Sequence, residues 1–568
     1  MTTVIDTEAL DRAVAELRDR ASSWTDTPLP ARIALLERML PRIGAVADAM
    51  CADAARAKGY PADSTWAAED WTGGPWALAQ NVQTLLRTLR RIAATGEVVP
   101  PHAVHTREDR VVVDVFPATR WDRLLLNGYH AEVWMAVGST TGGVRASAGT
   151  AYSGRRHEPR VALVLGAGNV AAITALDILH KLYVEGQVVL AKMNPVNAYL
   201  RPHIEQVFVE FTERGWLRFA DGGTDEGAFL TRHPGIDTLH ITGSARTHDA
   251  IVWGIGPDAE RRRDQDRPLV AKPFSSELGG VSPCIVVPGR WSAADFRYQA
   301  EHIVTSKMNN SGHNCIASQV LVLPRDWDGT EKLLAEIRRV LRALPPRPDY
   351  YPGAPARLQA VRDAHPGAEV LGEDCSRLLV EIGAEDPLLR DEVFASALGV
   401  VRLSGATAED FLPRAVAFAN DTLPGTLGAT LVVHPRTERH APGAVGAAIG
   451  ALRYGTLGVN CWSGVGFLLG TTPWGAYPGH TRQDIGSGVG LVHNAYLLAD
   501  ADVEKTVLRA PFAPAPRGLL TGSPSLSPRP PYFVTNRTAL TTVKRLTAFT
   551  LAPSLRRLPA ILASALRG

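Results

Sequence analysis

Cysteine is scarce: Cys51, Cys284, Cys315, Cys375 and Cys461 are the only five in 568 residues, and no two stand in C-x-x-C spacing. An odd, scattered set argues against a disulfide framework. The one close Cys/His pair, His313 with Cys315, has no second pair to complete a structural zinc site, so no metal is expected. Long apolar runs are missing too, and no segment reads as a bilayer span. The first twenty residues have no apolar h-region, which argues against a cleaved secretory signal and for a cytoplasmic location. Acid is missing from one end. From Lys505 to Gly568 there are ten Lys/Arg and no Asp or Glu, which leaves residues 1–504 with 50 basic against 58 acidic side chains, a net of −8. An anionic partner is therefore a question for the tail alone.

What is present is the composition of a soluble globular protein, 45% hydrophobic and 21% charged, in a chain long enough for two or three packed units. Leu, Ala and Ile at helical spacing over 7–57 and 78–95 predict a helical lead-in. Trp66, Trp71 and Trp76 lie between those segments, as packing residues of a helix corner or as the lining of a ligand entrance. From residue 160 short β-branched runs alternate with helical ones: "RVALVLG", "QVVLAK" and "IDTLHITGS" each precede a helical pattern. That alternation predicts βαβ units and a parallel sheet, and hence an α/β fold. A second α/β unit starts near "SELGGVSPCIVVPG" and continues through "SQVLVLP", "GATLVVHP" and "GTLGVNCWS". Beyond about residue 510 a Pro/Ser-rich stretch reads as a linker to a basic appendix.

Gly166-Ala167-Gly168-Asn169-Val170-Ala171 sits between a strand and a helix and matches the dinucleotide fingerprint G-x-G-x-x-G/A. The acid that usually ends the next strand is replaced by Lys192, so the simple fingerprint reading is weak. Cys315, in "NNSGHNCIAS", is by residue type a nucleophile or a small buried side chain. Cys284 and Cys461, in apolar runs, read as buried.

Taken in order, "GAGN" ending in Asn169, "VVLAK" ending in Lys192, "ITGS", "SELGGVSP", "SGHNC", "DEVF" and "YGTLGVNCW" resemble the aldehyde dehydrogenase superfamily over about residues 150–495. The resemblance implies a Rossmann-type cofactor domain over 1–275, interrupted by an arm near 120–155. It further implies a catalytic domain over 276–475, an oligomerisation segment over 476–504, and a linker and basic tail over 505–568. It implies Cys315 as nucleophile, Asn169 with the Cys315 N–H as oxyanion donors, and Glu277 as the base that activates water. For NAD or NADP it implies Lys192 at the adenosine ribose, Gly243 and Ser244 at the pyrophosphate, and Glu392 with Phe394 at the nicotinamide end.

The implied partners are a small-molecule aldehyde and further copies of the chain, as a homo-oligomeric dimer or tetramer. Three departures stand out. His313 replaces a common Gln beside the nucleophile, Pro195 stands where an acid would discourage a 2′-phosphate, and "ERRRDQDRP" lengthens the stretch before Glu277. Two other readings remain: an acyl-thioester reductase working in reverse, and a catalytically silent scaffold using the basic tail for binding. The tail, residues 536–568, reads either as a membrane-surface contact, as a disordered segment or as an arm docked on a partner. Its aromatic interleaving is too thin for a nucleic-acid arm.

Overall fold

The computed structural model describes residues 6–154, 158–383, 385–514 and 528–568. Val161–Leu165 and Val188–Lys192 are buried along their whole length, as strands covered on both faces must be, and they pair in parallel. Around them a six-stranded sheet runs in the order Gly488–Val489, Phe274–Leu278, Thr238–Gly243, Val161–Leu165, Val188–Lys192, Leu217–Ala220. Only the two-residue edge is antiparallel. The chain steps outward from Val161–Leu165 through Val188–Lys192 to Leu217–Ala220, then returns to the other side at Thr238–Gly243. This reversal leaves a switch point between the carboxyl ends of Val161–Leu165 and Thr238–Gly243, where a crevice opens in such sheets.

The stretch expected to open the second unit divides instead into two strands in two sheets. Phe274–Leu278 ends the first sheet, and Ser282–Val286 enters an eleven-stranded one. Gly279 and Gly280 make the crossing, and it is tight: a Cβ on Gly280 would lie 2.9 Å from the Gly425 Cα. Glu277 is thereby held at the seam of the two sheets.

The eleven-stranded sheet has a parallel centre, Thr456–Val459, Gly428–Val432, Ser282–Val286, Ser318–Pro324 and Ala397–Leu403. On one side Val503–Arg509 continues it in parallel and carries the antiparallel strands His130–Met135, Arg110–Phe116 and Val104–Arg107. The region expected as an arm therefore joins the second sheet of its own chain, and the boundary expected between residues 504 and 505 falls inside a strand.

The basic appendix is folded. Helix Ala539–Leu551 packs on Ala67–Trp71 and Thr72–Trp76, and helix Leu558–Ala565 packs on it in turn. Val543, Phe549, Leu558 and Ile561, the side chains a membrane interface would take, are buried against protein. Trp71 and Trp76 form one apolar cluster with Val543, which makes them packing residues rather than an entrance. The expected Pro/Ser-rich linker lies mostly, over 515–527, outside the described residues. Among the described residues no helix is long and apolar enough to cross a membrane, and no group of His, Cys, Asp and Glu could hold a metal ion.

Candidate active site

Cys315 follows the turn that ends helix Ala293–Met308. Asn310 and Ser311 hold positive φ there (53° and 57°), and Gly312 continues the bend at 76°. That costly backbone is locked by hydrogen bonds: Asn310 Nδ2 donates to the backbone carbonyls of Asn169 (3.0 Å) and His313 (2.9 Å). The Cys315 thiol points at the seam between the sheets and donates to Glu277 Oε1 at 3.3 Å. Burial, then the carboxylates of Glu277 and Glu392, push the thiol well above its ordinary value. Burial likewise raises the Glu277 carboxyl, with the nearby Trp474 indole and Cys315 pulling partly against it. Glu277 Oε2 has no hydrogen-bond partner. A buried carboxyl with one oxygen on a thiol and the other unused can take a proton from the thiol or from a water.

Asn169, at the carboxyl end of Val161–Leu165, donates one amide hydrogen to the His313 carbonyl at 3.1 Å. The amide has a second hydrogen to give, on the wall it shares with Cys315. His313 itself is fully buried. Its Nδ1 donates to the Phe394 carbonyl at 2.9 Å, and burial pushes its pKa down to about 3. A neutral ring cannot stabilise the thiolate by charge. The histidine instead ties the Cys315 turn to the segment carrying Glu392 and Phe394.

Two cavities meet at Cys315, Asn169 and Glu277, which line both. One is a crevice of about 1200 Å³ at the switch point, and it collects Lys192, Gly243, Ser244, Glu392 and Phe394. Ser244 caps helix Ala245–Val252, its side chain accepting from the Thr247 N–H at 3.1 Å. The remaining free N–H groups of that turn face an anion-favouring position. Lys192 Nζ donates to the Gly222 carbonyl at 2.6 Å. Glu392 lies against Gly279, where a Cβ would come within 2.4 Å of its carboxylate oxygens. Burial raises Glu392 to about 8, and its Oε1 has no partner. Phe394, at φ 48°, sets its ring against Tyr351, 4.8 Å between centroids. An orphaned acceptor, a lysine at a strand end and a helix N-terminus in one crevice are a donor and acceptor set that fits a dinucleotide.

The second cavity is a chamber of only about 60 Å³ on the other side of Cys315. Trp462, Trp474, Phe467 and Ile316 make its apolar wall, with Lys58, Asp70 and Glu69 at a polar end.

Solved structures share this fold. Substrate-bound AldH of Staphylococcus aureus aligns at TM-score 0.59 with 15% identity, over 88% of this chain and 93% of that one. The NADP-dependent glyceraldehyde-3-phosphate dehydrogenase of Bacillus halodurans C-125, complexed with NADP, aligns at 0.57 with 17% identity, over 88% and 91%. The chain has the fold of these dehydrogenases. Residues 163–362 also match the aldehyde dehydrogenase family in sequence. An N-succinylglutamate 5-semialdehyde dehydrogenase of Sphingopyxis alaskensis is 31% identical over 191 residues, 33% of this chain and 36% of that relative. A coniferyl aldehyde dehydrogenase of a Pseudomonas species is 24% identical over 261 residues, 42% of this chain and 50% of that relative. The chain thus matches a third to a half of these curated relatives' length.

Three features of the site escaped sequence reasoning. The longer stretch before Glu277 forms helix Pro257–Asp264 and brings Arg262 and Arg263 to the crevice. Lys307, brought down to about 8 by burial, is near enough to Glu392 to feel its charge. Pro531 and Tyr532, from the appendix, line the chamber beside Cys315. The run "PPYF" was the only signal for these last two.

Proposed function

We propose that this chain oxidises an aldehyde to the carboxylic acid with NAD or NADP, through a thioester on Cys315. The observation that carries the reading is the 3.3 Å contact between Cys315 Sγ and Glu277, at the wall shared by a dinucleotide-sized crevice and a small chamber. In this reading Glu277 takes the thiol proton and Sγ adds to the aldehyde carbon. The second amide hydrogen of Asn169 and the Cys315 N–H then receive the oxyanion of the thiohemiacetal. Lys192, Gly243, Ser244, Glu392 and Phe394 hold the dinucleotide, which when bound supplies the hydride acceptor. Glu277 passes the thiol proton to solvent and then accepts one from a water that takes the acyl group off the thioester; the carboxylic acid leaves, and the proton on Glu277 returns to the Cys315 sulfur.

Pro195 in place of an acid, with Lys192 retained, admits either cofactor. Retention of Glu277 favours hydrolysis over the acyl-thioester reductase alternative, because exchange with a thiol needs no activated water. The division into a cofactor unit and a catalytic unit goes with the same reading, with the boundary moved from 275/276, which falls inside Phe274–Leu278, to Gly279–Gly280; so does assembly as a homo-oligomer.

The test is NAD(P)H formation across a panel of aldehydes, with acyl-CoA plus NAD(P)H as the reverse assay. Turnover with aldehyde that disappears in Cys315→Ala supports the reading. Wild-type turnover by Cys315→Ala, or activity in the reverse assay alone, sinks it.

A further inference from the structure

The basic appendix and the residues that lead into it have no part in the chemistry above, yet two of the latter line the chamber with Cys315. Pro531 and Tyr532 line the same chamber as Cys315, and Tyr532 packs into the apolar cluster of Trp462, Trp474 and Ile316. They are held there firmly. Phe533 is buried and stacks on His302 (5.9 Å between centroids, 7° between planes), beside Tyr298 at 5.3 Å. Arg529 pairs with Glu301, and Thr535 Oγ1 donates to Glu301 Oε2 at 2.9 Å. The Val534 N–H donates to Thr305 Oγ1 at 3.1 Å. Tyr298, Glu301, His302 and Thr305 all belong to helix Ala293–Met308, the element that runs into the Cys315 turn. The appendix is therefore registered on the same helix that places the nucleophile.

Behind it, helix Ala539–Leu551 presses on the segment that supplies the opposite wall, Glu69, Asp70, Thr72 and Gly73. The space left is about 60 Å³. About 10–15 Å³ of such space holds one water, so the chamber takes a molecule of a few heavy atoms. Its charge is also settled. Lys58, the one cation among the lining residues, is bound to Asp70 at 2.6 Å, and Glu69 is paired with Arg347 at 2.6 Å. No lining cation is left to take a substrate carboxylate, and stripping one from its partner is costly in a buried site.

We propose that residues 529–536, braced by the two helices that follow, form a built-in stopper on the aldehyde side of the site, and that Tyr532 and Pro531 restrict this chain to short, uncharged aldehydes. The proposal rests on the aldehyde reading above. A specificity set this way is a matter of volume: removing the Tyr532 ring opens the chamber toward the surface that the appendix covers, and a longer chain can enter.

The experiment compares kcat/KM for propanal, decanal and succinic semialdehyde in wild type, Tyr532→Ala and Tyr532→Phe. The wild type is expected to prefer propanal over both others. Tyr532→Ala shifts the decanal-to-propanal ratio upward by at least about tenfold, the scale on which a few methylenes are discriminated. Tyr532→Phe keeps the ring, loses only the hydroxyl, and keeps the wild-type ratio. A folded Tyr532→Ala with an unchanged ratio overturns the proposal, as does a wild type that favours decanal or succinic semialdehyde. If no aldehyde is oxidised at all, the activity reading fails instead. Alkylation of Cys315 by iodoacetamide against a long N-alkyl iodoacetamide, mapped by mass spectrometry, then reads the same gap. A selective gain for the long reagent in Tyr532→Ala supports the stopper, and equal rates in both proteins overturn it.

Discussion

The crevice and the chamber share three residues and little else. The crevice is about 1200 Å³, built at a sheet switch point from strand ends and a helix N-terminus, with a buried acceptor left unmatched at Glu392. The chamber is about 60 Å³, its one lining cation, Lys58, is bound to Asp70, and part of its wall comes from the far end of the chain. A cavity that must hold the same nucleotide in many enzymes is set by backbone geometry. One that must choose a substrate is closed by side chains from whatever segment lies over it. Substitutions on the shared wall should therefore disable both sides, and substitutions in either cavity should affect that side alone.

Glu277→Gln attacks the shared wall and should have the largest effect, a fall of about 10²–10⁴ in steady-state turnover, as for removal of a general base. If Glu277 acts on water alone, rapid mixing will still show one burst of NAD(P)H per site; loss of the burst assigns it the thiol proton as well. Wild-type steady-state turnover would remove it from the reaction. Burial raises this carboxyl, and the base must be ionised. The wild-type rate should therefore fall, as pH is lowered, at a higher pH than an ordinary glutamate would give. Asn169→Ala comes next. It takes away an oxyanion donor, worth about 10²–10³ in kcat with little change in KM. A change confined to KM would make Asn169 a packing residue tied to His313.

Glu392→Gln breaks only the crevice side. The cofactor KM should rise about tenfold, the worth of one hydrogen bond to a charged acceptor, with the aldehyde preference unchanged. Because burial holds Glu392 near 8, its carboxylate gains population as pH rises through that value. The wild-type cofactor KM should fall across the same interval, and the Gln variant should show no such fall. An identical pH profile in both proteins would remove Glu392 from cofactor binding.

These two cavities were not equally legible in the sequence. Val161–Leu165 is five apolar residues followed by Gly166, and Thr238–Gly243 ends in Gly243 with Ser244 next; periodicity and turn chemistry are local signals, and they locate the crevice. Leu217–Ala220 escapes because "LRFA" is too short to show a period, and "SELGGVSP" hides the passage from one sheet to the other behind two glycines that read as a turn within one unit. Cys315, Glu277 and Asn169 are each readable as candidates. Their meeting at one seam is a property of two sheets, which no spacing reports. The chamber was the least legible. Val543, Leu546 and Phe549 give a helical face, but a face does not name what covers it, and membrane and protein core ask for the same side chains. His313 shows the same limit: its residue type suggests a charged partner for a thiolate, and burial makes it a neutral tie to Phe394.

The smallest effect is expected where the appendix meets solvent. Lys544 pairs with Asp48 at 3.1 Å and lies 4.8 Å from the Trp71 ring centre, with its side chain 42% exposed. Exposed ion pairs are worth about 0–1 kcal/mol and an exposed cation–π contact about 0.5–1 kcal/mol. Lys544→Ala should therefore cost no more than about 1 kcal/mol of unfolding free energy in urea, with the aldehyde preference intact. Phe549→Ala is the contrasting case. Phe549 is 4% exposed and edge-on to Trp121 at 5.5 Å between centroids, so its loss should cost about 3–5 kcal/mol. If docking of the appendix rests on buried apolar side chains, only the second substitution should raise the decanal-to-propanal ratio as Tyr532→Ala does. A rise in Lys544→Ala would mean that surface charge, and not the buried ring, keeps the chamber closed.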